Sequence, residues 1–173
     1  INSITNDQNL PVVFSFVCNT GDFGNETNDR CFGEKLTTYG NASSPKGAVA
    51  VIGPSDLDTD TRFNNVLCGK MWDEMLESRI YELGPILHAG KQAVAREFDG
   101  LNIDSVNPIG TTMSIPKFYH HVYAILGDPS LSVWLGEPKV INHSLINTSL
   151  DKSYISIHVE DQDGSPLQDV VGA

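Results

Sequence analysis

The sequence is short of positive charge, of cysteine and of long apolar runs, and each shortage excludes something. Eleven basic side chains stand against 22 acidic ones, a net charge of −11. Neither nucleic acid nor an anionic membrane surface is therefore expected as the main partner. No stretch reaches the ~20 apolar residues that a spanning helix needs, so no membrane span is expected. The three cysteines, Cys18, Cys31 and Cys68, are an odd number and cannot close a complete disulfide framework. No Cys-x-x-Cys pair is present for zinc or thioredoxin-type chemistry. Residues Asn2 to Asn9 are polar, with no basic stretch leading into an apolar one, so a signal peptide is expected to be absent or already removed. The chain opens at Ile1 and closes on the strand-like Val170-Val171-Gly172-Ala173, and it is expected to be a piece of a longer protein.

What is present suits a folded chain. Hydrophobic residues make up 40% of the 173, enough for one core with a small appendage. Aromatic and β-branched residues recur in clusters, which argues against disorder. Asn-x-Ser/Thr sequons at Asn25, Asn41, Asn142 and Asn147 mark surface loops, and no more is read from them.

The pattern along the chain predicts alternating strands and helices. Pro11 to Val17 lacks strict alternation and reads as a strand buried on both faces. Cys18 closes it, and Asn19-Thr20-Gly21-Asp22-Phe23-Gly24 reads as a turn. Cys31 to Leu36 is a short helix closed by Gly40. Gly47 to Pro54 is a second buried strand, followed by the acidic loop Ser55 to Thr61. From Arg62 to Glu82 apolar residues recur at helical spacing, with Asp60 or Thr61 as cap. A further helix spans Pro85 to Phe98. Asn107-Pro108-Ile109-Gly110 is a turn, and a third long helix starts at Pro116 and continues through Tyr123 and Leu126. Leu131 to Leu135 alternates as a strand. Past Pro138 helix signals vanish, and Tyr154 to Val159 followed by Asp161 to Pro166 reads as strand and turn. The expected organisation is a mostly parallel sheet flanked by helices over 1–136, then the first strands of a β-sandwich over 137–173. Those last residues are too few for a whole sandwich, which takes about 100.

Ligands and chemistry in open parallel sheets gather at the carboxyl ends of strands, where Cys18 is expected. A thiol there is suited to covalent catalysis once a base favours the thiolate. A buried structural thiol is the competing reading from spacing alone. Cys31, on its short helix, and Cys68, on the apolar side of its own, read as packing residues.

The run Val13-Phe14-Ser15-Phe16-Val17-Cys18-Asn19-Thr20-Gly21-Asp22-Phe23, followed by Cys31-Phe32-Gly33-Glu34-Lys35-Leu36, resembles the nucleophile segment of the gingipain-type cysteine peptidases (clan CD). Gly47 to Gly53 resembles the next core strand of that family. Leu126-Gly127-Asp128-Pro129-Ser130-Leu131 resembles the signature closing its catalytic domain, after which an immunoglobulin-like domain follows. The resemblance implies a caspase-like α/β fold and a Cys/His dyad, in a secreted or cell-surface bacterial protein that cuts protein or peptide substrates after basic residues. It implies Cys18 as nucleophile, with its backbone N–H in the oxyanion hole. It also implies a structural Ca²⁺ whose ligands it does not place, and no cofactor for the chemistry itself.

A dyad needs a base, which in the family belongs to a His-Gly on the preceding strand. None of the 17 residues before Cys18 is histidine. His88 reads as a helix-surface or packing residue, and His120 and His121 point roughly 100° apart on one helix. His143 and His158 fall in the all-β part. The base is therefore expected on an upstream segment or separate chain. Two other readings stand beside the peptidase: an inactive family member serving as a surface-binding or structural module, and a sortase-like transpeptidase. Asp56, Asp58 and Asp60 are candidates for receiving a Lys or Arg side chain of the substrate. Alternating carboxylates also suit Ca²⁺, and a solvated loop ending in a helix cap is the third reading. Asp22 reads as a turn-former.

Overall fold

The computed structural model describes every residue except Asn2, Asn28, residues 105–111, 137–139 and 148–155, Asp169 and residues 171–173. The predicted turn at Asn107 to Gly110, the change of texture at Pro138 and the start of the strand at Tyr154 and Ile155 lie outside the described residues.

The Gly47 to Pro54 run forms β4 (Ala50–Pro54), and all five of its residues are buried. Alternation explains how both faces are covered. Ala50 and Ile52 point into the main core, while Val51 joins Leu36 and Ala48 in a smaller cluster on the opposite face. Strand β1 (Val12–Phe14) pairs with β4 in parallel, Val13 opposite Val51. Between them in sequence lie α1 (Phe32–Thr37) and the two-residue strands β2 (Gly40–Asn41) and β3 (Ser44–Pro45), which pair as a small hairpin. Cys31 caps α1 in a capping box: its Sγ accepts from the Glu34 N–H at 3.5 Å, and its own N–H donates to Glu34 Oε2 at 2.9 Å.

Helices α2 (Thr61–Leu76) and α3 (Leu83–Glu97) pack together over the main-core face of the sheet. Asp60 is the cap of α2, accepting from the Arg62 N–H at 2.7 Å. The α2 helix stops at Leu76, short of the predicted Glu82, and Arg79 then takes a left-handed conformation at φ 55°. Leu67, Met71, Met75, Leu83, Ile86 and Val94 fill the α2–α3 seam, each contributing about 1.5–3 kcal/mol by leaving water. Strands β5 (Asn102–Asp104) and β6 (Thr112–Ser114) pair antiparallel and lead into α4 (Ile115–Val122).

Three expectations are corrected here. The third long helix ends at Val122, and Tyr123 to Leu126 form β7, antiparallel to β4 with Pro54 opposite Tyr123. Because β7 follows α4 without a loop, it enters the sheet at the Pro54 end of β4 and runs backwards along it. The described main sheet, in the order β1-β4-β7, is therefore mixed, with one parallel and one antiparallel pair, where a mostly parallel sheet was expected. Finally, the stretch Leu131 to Leu135 makes a single bridge, Ser132 with Glu82, in place of a strand. Its alternation reflects Leu131 and Val133 packing on the core, which needs no ladder.

The chain divides into a unit of Ile1–Val133 and a second of Trp134–Ala173. The second unit contains the antiparallel pair β8 (Ile141–Asn147) and β9 (Ser156–Asp161). A turn closed by Asp161, whose Oδ1 accepts from the N–H groups of Asp163 and Ser165, follows β9. Among the described residues no helix is long and apolar enough to cross a membrane.

Candidate active site

Strand β1 is shorter than predicted and ends at Phe14, so Cys18 lies four residues beyond it, in a turn. Backbone bonds to β4 and the loop after it fix that turn. Ser15 N–H donates to Ile52 C=O at 2.8 Å, Asn19 N–H to Asp56 C=O at 3.2 Å, and Gly21 N–H to Pro54 C=O at 2.9 Å. The last contact requires glycine at position 21 and leaves little room at position 53. A Cβ on Gly21 would lie 2.6 Å from the Gly53 carbonyl oxygen, and one on Gly53 would lie 2.8 Å from Thr20 Oγ1. Two backbones approach here at a distance no larger residue permits. Asn19 takes the left-handed region at φ 59°, which Asn tolerates. Its Oδ1 is buried without a hydrogen-bond donor among the described residues.

The Cys18 sulfur faces the acidic loop. Its Sγ lies 3.1 Å from Thr59 Oγ1 and 3.7 Å from the Thr59 carbonyl oxygen. No described carbonyl accepts from the Cys18 backbone N–H. Behind the sulfur sits a polar network inside the main core. Asn64, buried on α2, donates through Nδ2 to the Phe16 C=O at 3.2 Å. Its Oδ1 accepts from Tyr123 Oη at 2.7 Å and faces Tyr119 Oη at 2.9 Å. Tyr119 Oη accepts from the Asp60 N–H at 3.0 Å and lies 3.1 Å from the Asp60 C=O. Burial pushes both phenols well above their usual range, so they stay protonated. One cluster thus ties the approach to Cys18, the start of α2, α4 and β7 together.

The other two thiols are placed differently. Cys31 is the buried cap of α1 and Cys68 lies on α2. Burial pushes both thiols up, against thiolate formation. Neither is brought to the Cys18 turn.

Asp56, Asp58 and Asp60 do lie in the loop that contacts this turn, and the carboxylates of Asp56 and Asp60 serve the loop itself. Asp56 Oδ1 accepts from the Asp58 N–H at 2.9 Å, and Asp60 Oδ1 caps α2. Among the described residues no group of three or more His, Cys, Asp and Glu side chains is gathered as a metal site requires, and the three loop aspartates form no such group.

Among the described residues no histidine bonds to the Cys18 sulfur. His88 and His120 pair edge to face on α3 and α4 at 6.4 Å, and Lys91 Nζ donates to the His120 C=O at 2.8 Å. Burial, together with the Lys91, His88 and His121 charges, holds the His120 imidazole below its usual range. His158 bonds Glu160 in the second unit.

Sequence reasoning missed Thr59, Asn64, Tyr119 and Tyr123 as site residues. Asn64 carries a readable signal, since it falls on the same helical stripe as Leu67, Met71 and Met75. A polar residue in that stripe must find partners. Thr59 has no comparable signal.

The sequence profile described as Peptidase family C25 matches residues 1–134. The crystal structure of the Arg-specific cysteine proteinase gingipain R superposes with a TM-score of 0.69 at 20% identity, covering 90% of this chain and 33% of that one. The complex of the pro- and mature domains of RgpB from Porphyromonas gingivalis gives 0.68 at 22%, covering 90% and 34%. A third solved structure, described only as a protease, gives 0.60 at 21%, covering 86% and 34%. No curated protein matches the chain. The fold is therefore an α/β, caspase-like one, and the chain spans about one third of the length of the solved structures it matches.

Proposed function

We infer the activity of this chain from its family, since it belongs to peptidase family C25. It carries the nucleophile-bearing part of a cysteine endopeptidase, with Cys18 as nucleophile and the general base on a segment outside residues 1–173. The observation that carries this reading is the placement of Cys18. Alone of the three thiols it lies in a turn at the exit of the parallel β1–β4 pair, with no described carbonyl accepting from its N–H.

The chemistry follows from those groups. An imidazole takes the Cys18 proton, and the thiolate attacks the scissile carbonyl carbon while the Cys18 N–H faces the developing oxyanion. The imidazolium protonates the leaving amine as the C–N bond breaks, leaving a thioester on Sγ. Water, deprotonated by the imidazole, then releases the acid. Acyl transfer of this kind balances without a metal or organic cofactor.

An upstream segment fits the open side of β1, which has a neighbour on one side only in the described sheet. Trp72 and Leu76 stand exposed on α2, and Phe14 of β1 packs against Trp72. The orphaned Asn19 Oδ1 awaits a donor, a need worth about 1–3 kcal/mol when unmet. In this reading the segment adds a strand beside β1 and brings the histidine with it. Asp56, Asp58 and Asp60 are the residues of this reading that receive a basic P1 side chain. Residues 1–136 are the end of the catalytic domain, and 137–173 open an immunoglobulin-like sandwich whose remaining strands cover Val140, Ile141 and Ile157, all exposed here. A secreted or cell-surface bacterial setting goes with this reading, as one similar structure comes from Porphyromonas gingivalis.

The test is active-site labelling of the full-length protein with a P1-Arg or P1-Lys electrophilic peptide, read by mass spectrometry. Labelling at Cys18 that disappears in Cys18→Ala is expected. A protein that binds peptides yet leaves Cys18 unlabelled would be an inactive module. Transfer of the acyl group to an added amine in preference to water would mark a transpeptidase.

A further inference from the structure

We propose that Thr59 is the hydrogen-bond donor that holds the Cys18 sulfur once its proton has left; this rests on the reading of Cys18 as nucleophile. The Sγ–Thr59 Oγ1 separation is 3.1 Å, and the Thr59 carbonyl oxygen lies at 3.7 Å on the same side. A neutral thiol has one proton to give, and either Thr59 oxygen accepts it. A thiolate has none, so only the hydroxyl can still bond it, and it does so as donor. That bond is charge-assisted and stronger than the one it replaces. The carbonyl offers the anion no hydrogen, so removal of the thiol proton leaves the Thr59 hydroxyl as the single favourable partner on that side.

Both ends of this contact are fixed by one closed circuit. Cys18 lies two residues from the Phe16 carbonyl, which Asn64 Nδ2 holds at 3.2 Å. Asn64 Oδ1 faces Tyr119 Oη at 2.9 Å, and Tyr119 Oη clamps the Asp60 N–H at 3.0 Å. Asp60 adjoins Thr59, whose hydroxyl returns to Cys18 Sγ. Four side chains and two backbone groups thus set the sulfur and its donor at one separation, although they stand 41 positions apart in sequence. Neither residue needs to move when the proton leaves. A preset donor of this kind lowers the reorganisation required at the reacting atom.

The test reads the reactivity of Cys18 and needs no turnover. In the full-length protein, the rate of iodoacetamide alkylation at neutral pH is followed on the Cys18 peptide by mass spectrometry, with the peptides of the buried Cys31 and the half-buried Cys68 as reporters of folding. Thr59→Val keeps the shape and removes the donor, and it should slow Cys18 alkylation about ten-fold. Thr59→Ser restores the hydroxyl and should return the rate to within about three-fold of wild type, a rescue that a merely structural role would not give. A Thr59→Val rate equal to wild type, or a Thr59→Ser rate as low as Thr59→Val, overturns the assignment. If Thr59→Val speeds labelling of Cys31 and Cys68, the fold has loosened, and Thr59→Ala is judged by the same two criteria. Cys18→Ala tests the underlying reading separately. If it abolishes peptidase activity while Cys18 alkylation ignores Thr59, the Thr59 assignment alone fails. If alkylation depends on Thr59 but Cys18→Ala retains activity, the nucleophile reading fails and the contact stands.

Discussion

Strands β1 and β4 lie side by side with similar sequences, Val12-Val13-Phe14 against Ala50-Val51-Ile52, and they are held in opposite ways. Ala50, Val51 and Ile52 have no exposed surface, and β4 has a neighbour on each side. The three β1 residues are half-buried, and β1 has one described neighbour. Apolar burial is non-directional and fixes β4 firmly without aiming anything. Hydrogen bonds are directional, and they take over where burial thins: Ser15 to Ile52, Asn64 to Phe16, Asn19 to Asp56, Gly21 to Pro54. The chain finishes its core around β4 and aims its candidate nucleophile from β1. A reactive group has to face a substrate, so it cannot be placed by burial alone.

If polar bonds do for the Cys18 turn what burial does for β4, the largest single loss should come from Asn64. Asn64→Ala leaves the Phe16 carbonyl, Tyr123 Oη and Tyr119 Oη short of a partner inside the core. The expected cost is about 4 kcal/mol, read as a drop in the urea midpoint, with the Cys18 peptide losing amide-exchange protection before the β4 peptide does. Equal loss of protection in both would break the comparison, since it would make Asn64 a core residue like any other.

A smaller effect is expected where the two backbones meet. In Gly21→Ala the new methyl lies 2.6 Å from a backbone oxygen of Gly53, which cannot rotate aside as a side chain would. The turn must lift off β4 at about 1–3 kcal/mol. Displacement of Cys18 by about 1 Å would then lower peptidase turnover on the order of 100-fold. Unchanged turnover would show that the close approach does not aim the nucleophile.

How much of this was legible in the sequence follows the same division. Elements whose identity rests on local pattern were readable: the five buried residues of β4, the apolar periodicity of α2 and the Asp60 cap. Tyr123 to Leu126 was not. Val122, Tyr123 and Leu126 continue the helical spacing of α4, and only pairing with a strand more than 60 residues away turns them into β7. Strand β1 read too long because Ser15, Phe16 and Val17 keep strand-like composition, while the ladder's last bond to β4 is that of Ser15 and the Phe16 carbonyl turns to Asn64. Cys18 itself stood out through residue type and position. Thr59 did not, because a threonine between two aspartates in a polar loop carries no pattern until the fold brings it 3.1 Å from the sulfur. Long-range polar geometry is where one-dimensional reading ends.

The finest test uses the register itself. Val13 and Val51 are the same residue, directly opposite on adjacent parallel strands, so truncating each to alanine removes identical atoms from different depths. Val51→Ala empties a fully buried site between β4 and the Leu36–Ala48 cluster and should cost about 2–3 kcal/mol, transfer and cavity together. Val13→Ala in the isolated chain should cost about 1 kcal/mol, because part of that side chain already touches water. The two values should converge in the full-length protein, where a strand laid along β1 would bury Val13 as β4 buries Val51. Denaturant unfolding of both variants, in the 173-residue chain and in the full-length protein, gives the four numbers. If the gap persists at full length, the open side of β1 is a true sheet edge, and the histidine-bearing segment must approach Cys18 by another route.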